Sequence, residues 1–137
     1  MEVIAISRSI KVSPRKIRLV ADEIRNTEAL KALDILSLIK KRGSVSLKKT
    51  LESAIANAVN NKKLAKENLT IKLIDISEGS AFKRFHPSTR GRVHPYKKRT
   101  SNIRIVLEDK SAKEEPVKVE ESIKVNKKEE KPKKEAK

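Results

Sequence analysis

The chain has no cysteine, three glycines and three aromatic residues among its 137 positions. The first absence excludes disulfides, cysteine-ligated zinc and thiol nucleophiles, and it agrees with a reducing compartment. Three glycines leave no glycine-rich phosphate loop. No apolar run approaches the roughly 18 residues of a membrane span and the N-terminus has no signal-peptide core, so the expectation is a soluble, cytoplasmic protein without membrane contact. Paired carboxylates in a plausible pocket are missing, and a Ser/His/Asp triad could be assembled only by arbitrary choice. No enzymatic activity and no cofactor are expected. With aromatics at 2%, the core has to be built from Ile, Leu, Val and Ala.

The most informative absence is local. Residues 79–107, GSAFKRFHPSTRGRVHPYKKRTSNIRIVL, contain no Asp or Glu but carry Lys83, Arg84, Arg90, Arg92, Lys97, Lys98, Arg99 and Arg104. Phe82, Phe85 and Tyr96, with both histidines, His86 and His94, fall in the same window. Cations answer phosphates, while flat rings and guanidinium planes answer unpaired bases, so the segment has the composition of an RNA-contacting arm. His86 and His94 stand eight apart without a third ligand nearby, which is too little for zinc; stacking or plain exposure is the simpler reading, and no metal is expected.

The flanks give the arm its shape. Leu69, Ile71 and Leu73 alternate with Thr70 and Lys72, and Ile103, Ile105 and Leu107 alternate with Asn102, Arg104 and Val106. Both read as half-buried strands. Midway between them, Pro87, Ser88, Thr89, Arg90 and Gly91 supply turn chemistry, so the simplest geometry is one extended antiparallel hairpin over about residues 77–103. About a dozen residues separate Ser77 from the tip, a reach of roughly 40 Å. Such a ribbon is marginal alone and is expected to be ordered by its partner.

The rest of the chain reads as a small body. Glu2 to Ile10 is short, β-branched and loosely alternating, suggesting an edge strand. Ser13-Pro14 starts a helix, with Ile17, Val20, Ala21 and Ile24 on its apolar face. Opposite them, Arg15, Lys16, Arg18 and Arg25 form a basic face. Together with Arg8 and Lys11, the cations up to Arg18 are either a second RNA contact or a solvated helix surface; only Asp22 and Glu23 offset them locally. A second helix is expected from Thr27, with Leu30, Leu33, Leu36 and Ile39 as its stripe and Lys40, Lys41, Arg42 and Gly43 as its end. Ser44 is read as the cap of a third, longer helix, whose Leu47, Leu51, Ala54, Ile55, Ala58 and Val59 form a continuous stripe ending near Asn60 and Asn61. The fold class is therefore α+β: three helices on a small three-stranded antiparallel sheet with a long protruding hairpin.

Of the net charge of +16, residues 1–109 hold +13 and residues 110–137 hold +3. The last segment alternates Lys and Glu clusters with isolated valines and prolines, too little apolar area to offset its ordering entropy. It is expected to be a flexible tail attached to a single domain over residues 1–109.

Four segments, PRKIRLVADEIR (residues 14–25), ALDILSLIKKR (32–42), LESAIANAVNN (51–61) and the stretch from residue 78 to 107, resemble those of the large-subunit ribosomal protein twenty-two family, in the same order and at similar spacing. The resemblance implies binding to large-subunit ribosomal RNA during subunit assembly, neighbouring ribosomal proteins as partners, and a hairpin that lines the polypeptide exit tunnel and is linked to macrolide sensitivity. It implies that Lys83, Arg84, Arg90, Arg92, Lys97, Lys98 and Arg99 hold the arm to RNA, while Phe85, His86, Pro87, Ser88, Thr89 and Arg90 form a tunnel-facing tip near the nascent polypeptide. One departure lies at that tip: bacterial members commonly have Arg-Ala where this chain has Ser88-Thr89. The rival reading is a free basic nucleic-acid binder of the nucleoid or RNA-chaperone type. A basic β-arm that enters a DNA groove normally accompanies a dimer surface, and no spare apolar stripe supplies one, so no homo-oligomer is expected.

Overall fold

The computed structural model describes residues 1–110. The chain runs β1 (Glu2–Ile10), α1 (Pro14–Ala21), a 3-10 turn (Asp22–Ile24), α2 (Ala29–Leu38), α3 (Arg42–Lys62), a second 3-10 turn (Lys66–Asn68), β2 (Leu69–Pro87) and β3 (Val93–Asp109). The three strands form one antiparallel sheet in the order β1-β3-β2, so the last strand is central and pairs with both others. The fold is α+β, as the residue pattern indicates. Among the described residues no helix is long and apolar enough to cross a membrane.

Each helix buries one face on the sheet. Ile17, Val20, Ala21 and Ile24 from α1 and its 3-10 extension meet Leu47, Leu51, Ala54 and Ala58 of α3 over Ile71, Ile74, Ile76, Ile103, Ile105 and Leu107. At roughly 1.5–3 kcal/mol for each large aliphatic side chain removed from water, this all-aliphatic core is the main stabilising term. Pro14 occupies the first turn of α1 behind Ser13, whose extended backbone fits the cap position but whose hydroxyl makes no capping bond. The Ser13 carbonyl instead accepts the first helical amides, from Lys16 and Ile17.

Several local expectations are corrected. The second helix begins at Ala29 rather than at Thr27, whose hydroxyl donates to the Ile24 carbonyl and closes the preceding turn. Its buried stripe is Ala29, Ala32 and Leu36, while Leu30 is exposed. Leu33 and Ile39 of the expected stripe lie half-buried against the same core, so Leu30 alone of the four faces out. The run Lys40 to Gly43 does not end this helix: α2 stops at Leu38, and Arg42 and Gly43 already belong to α3. Gly43 packs on α1, where a Cβ would meet the Lys16 carbonyl oxygen at 3.4 Å and the Ile17 Cα at 3.5 Å, ordinary contact distances. Ser44 is not a cap. It lies inside the first turn, buried, and shares its hydroxyl proton between the carbonyls of Ile39 and Lys41 at 2.8 and 2.6 Å.

The base of β2 also departs from simple alternation. A register shift between Ile71 and Leu73 turns Leu73 outward and brings Ile74 and Ile76 into the core. On the outer sheet face Leu73 then stands in one row with Val106 and Ile4.

Candidate nucleic-acid interface

No residue between Ile76 and Thr100 is buried. Residues Ala81 to Pro87 pair with Arg99 to Val93, so the arm is a two-stranded ribbon with no core of its own. Directly opposed residues share a face and successive residues alternate. One face therefore carries Phe82 with Lys98, Arg84 with Tyr96, and His86 with His94. The Arg84 guanidinium lies over the Phe82 ring at 5.7 Å, and the His86 and Tyr96 rings are 5.7 Å apart at 42°. The other face carries Lys83 with Lys97 and Phe85 with Pro95. Phe85 is 66% exposed, a cost in water that a stacking partner would remove.

Backbone hydrogen bonds close the tip. The Ser88 amide donates to the Arg92 carbonyl at 2.8 Å across a single 3-10 turn, Thr89–Gly91. Arg90 takes a left-handed conformation there at φ 56°, followed by Gly91 at φ 69°. His86 and His94 face each other across the ribbon, and among the described residues no group of three or more His, Asp and Glu side chains is placed to hold a metal ion.

The root of the arm is built with more precision than its length. A second register shift, between Glu78 and Ala81, places Gly79 against Thr100, where a Cβ would collide with the Thr100 hydroxyl. That hydroxyl donates to the Ser80 carbonyl, and the buried Ser101 hydroxyl donates to the Val12 carbonyl at 2.9 Å. The Ser9 amide donates to the Asn102 side-chain oxygen at 2.9 Å. These bonds fix the ribbon against the lead into α1.

The structure sorts the expected RNA-contacting cations into three groups. Lys11, Lys16, Lys98 and Arg99 converge where the body meets the arm. Lys83, Arg84, Arg90, Arg92 and Lys97 are strung along the exposed ribbon, while Arg8 and Arg15 are exposed on the body outside that junction. Arg18 has a tethering job: its Nε and Nη2 donate to the Ile76 carbonyl at 3.3 and 2.8 Å, holding α1 to the last buried residue of β2. Arg99 is held by Glu78 at 2.9 Å, a carboxylate just outside the acid-free window. The pair is exposed on both sides, so its net strength is small.

Lys41 and Arg42 were missed by sequence reasoning. The residue pattern assigns them to the end of α2, yet they open α3 and line the same junction as Lys11 and Lys98. Neither α1 nor α3 has an acidic residue in its first turn, so the partial positive charge of both helix starts is left uncompensated there.

An acid-free, solvent-exposed β-ribbon rooted on a small aliphatic α+β body is a specific combination, and known proteins share it at the level of sequence. The family model described as Ribosomal protein L22p/L17e matches residues 5–108. "Large ribosomal subunit protein uL22" of Thermus thermophilus is 46% identical over 113 residues, 82% of this chain and all of that protein. The protein of the same name from Fusobacterium nucleatum subsp. nucleatum is 44% identical over 109 residues, 80% of this chain and 98% of its own. That of Macrococcus caseolyticus is 41% identical over 124 residues, 90% of this chain and all of its own. Because the match runs through the body, both strands of the arm and the tip between them, the chain belongs to the ribosomal protein L22p/L17e family.

Proposed function

We propose that the chain is a structural, non-enzymatic constituent of the large ribosomal subunit, resident with it in the cytoplasm, and that it holds large-subunit ribosomal RNA through its arm and the cationic root of that arm. The observation that carries this reading is the arm itself: a ribbon without a buried residue between Ile76 and Thr100, whose cations have no acidic ion-pair partner beyond Glu78 among the described residues. Such a ribbon gains little from its own contacts, and a polyanion would supply both the charge and the stacking surfaces it needs. The names of the relatives point the same way, to the large ribosomal subunit.

The arm's tip, residues Phe85 to Arg90, lies beyond every element that packs on the body, so it is the part free to meet something other than RNA. In the proposed reading it faces the nascent polypeptide in the exit tunnel, while the body meets RNA and neighbouring large-subunit proteins. The test is fractionation of a cell extract on a sucrose gradient. Comigration with large subunits supports the reading, whereas comigration with the chromosome supports a free nucleic-acid binder.

A further inference from the structure

The junction between body and arm forms a half-open cavity of about 450 Å³. Six cations surround it, from three separate parts of the chain: Lys11 and Lys16, Lys41 and Arg42, and Lys98 and Arg99. Between them the lining is mostly apolar, with Val12, Leu19 and Gly43 beside Ser13, and among the described residues no Asp or Glu lines it. A second cavity of about 310 Å³ adjoins it, sharing Lys11 and Lys98 and walled by the Phe82 ring with Arg84. Part of the backbone lining the first cavity is held within the fold. The Val12 carbonyl is held by the buried Ser101 hydroxyl, and Gly43 is seated against Lys16 and Ile17.

Phosphates along a duplex would be satisfied by cations on an open surface and would leave the apolar walls unused. A concave site of this size with an apolar interior and a cationic rim suits a ligand that is flat and apolar at one end and anionic at the other. The part of RNA with that build is a nucleotide released from pairing, whose base can leave the stack. Leu19, 59% exposed between cations, is the side chain such a base would cover.

We propose that this junction takes an unpaired nucleotide of ribosomal RNA, its base entering against Val12 and Leu19 and its phosphates lying on the cationic rim, with the strand continuing past Lys11 and Lys98 onto Phe82. The inference rests on the RNA-binding reading above and adds which kind of RNA element the body recognises. It also gives Lys41 and Arg42 a binding role.

The test uses the full chain and deproteinised large-subunit ribosomal RNA. Leu19→Gln removes the apolar contact without changing charge, and Leu38→Gln, at a position 80% exposed outside the cavity lining, is its control. The expected result is binding about fivefold to tenfold weaker for the first and unchanged for the second. A photoreactive benzoylphenylalanine replacing Leu19 should crosslink to a short cluster of nucleotides that react with 2′-hydroxyl acylating reagents in free RNA and are protected in the complex. Wild-type affinity for Leu19→Gln, or crosslinks confined to base-paired nucleotides, overturns the pocket while leaving the RNA-binding reading intact. Failure of the wild-type chain to bind the RNA at all overturns both.

Discussion

Lys83 and Lys97 stand directly opposite each other on one face of the arm. Like charges at opposed positions of an antiparallel pair destabilise it, by roughly the 0.2–1 kcal/mol that an opposite-charge pair would contribute. A ribbon that accepts this repulsion is shaped for its ligand at the expense of its free state.

Lys83→Glu should therefore act in opposite directions on the two states. The free arm gains a cross-strand ion pair with Lys97, seen as slower amide exchange in residues 81–99, while binding to large-subunit RNA weakens. With about seven phosphate contacts the wild-type log-log salt slope is of order −5 to −6, and the variant's should be shallower by about 1 or more. Tighter RNA binding by the variant would refute the electrostatic account, as would a wild-type slope near zero.

Gly79, within β2, and Gly91, in the tip turn, separate root from tip. Gly79→Ala places a methyl on the Thr100 hydroxyl and breaks its bond to the Ser80 carbonyl, so the thermal midpoint should fall by the equivalent of about 1–3 kcal/mol. Gly91→Ala meets no atom within 4 Å and is strained only by its φ of +69°. Its effect should stay at the tip, about 1 kcal/mol of local strain, with the global midpoint unmoved.

Acid should loosen two exposed ties. The Lys72 ammonium bonds Glu2 and holds its carboxyl below the ordinary glutamate value of 4.5, and Lys31 with Lys110 does the same for Glu28. A carboxyl whose pKa is lowered by folding stabilises the fold above its unfolded value and loses that contribution as pH falls through its folded one. The thermal midpoint should thus decline below about pH 4.5. Glu2→Gln should flatten part of that decline, and high salt should mask it because both sites are open to solvent. A midpoint that rises in acid would contradict this.

Lys110, the last described residue, is tied to the fold through its amide, which donates to the Asn68 carbonyl at 2.9 Å, and through its ammonium, 3.2 Å from Glu28. A chain ended after Lys110 should keep the full-length thermal midpoint. Ending it after Asp109 should lower the midpoint slightly, by the loss of those two contacts. A large drop for the first truncation would show that the later residues take part in folding.

Anchor and tip should be separable in the assembled particle. Deleting residues 85–89 removes most of the tip and leaves Lys97, Lys98 and Arg99 in place. The variant is expected in purified large subunits at near-normal occupancy, with an altered macrolide response or altered stalling by tunnel-sensing peptides. Lys97→Ala, Lys98→Ala and Arg99→Ala together should instead lower occupancy. The reverse pattern would sink the division.

Much of this molecule is legible along the chain because its signals are local. Two-residue alternation marks Ile103, Ile105 and Leu107 as one strand face, helical spacing marks Leu47, Leu51, Ala54 and Ala58 as one helix face, and a window without acids marks the arm. The turn at residues 88–91 follows from its own chemistry. The reading of residues 110–137 as a flexible tail falls, apart from Lys110, outside the described residues.

Sequence alone thus determined the α+β class, the hairpin and the sign of its charge, since each depends on neighbours a few positions away. Tertiary structure decided which distant residues meet. The register shift after Ile71 that buries Ile74 and Ile76, the contact of Gly43 with Lys16 and Ile17, the tether from Arg18 to Ile76 and the meeting of Lys41 and Arg42 with Lys98 all arise from packing between elements far apart in the chain. A residue's period reports which face it occupies but carries no information about what stands across from that face, and the binding junction is made of such crossings.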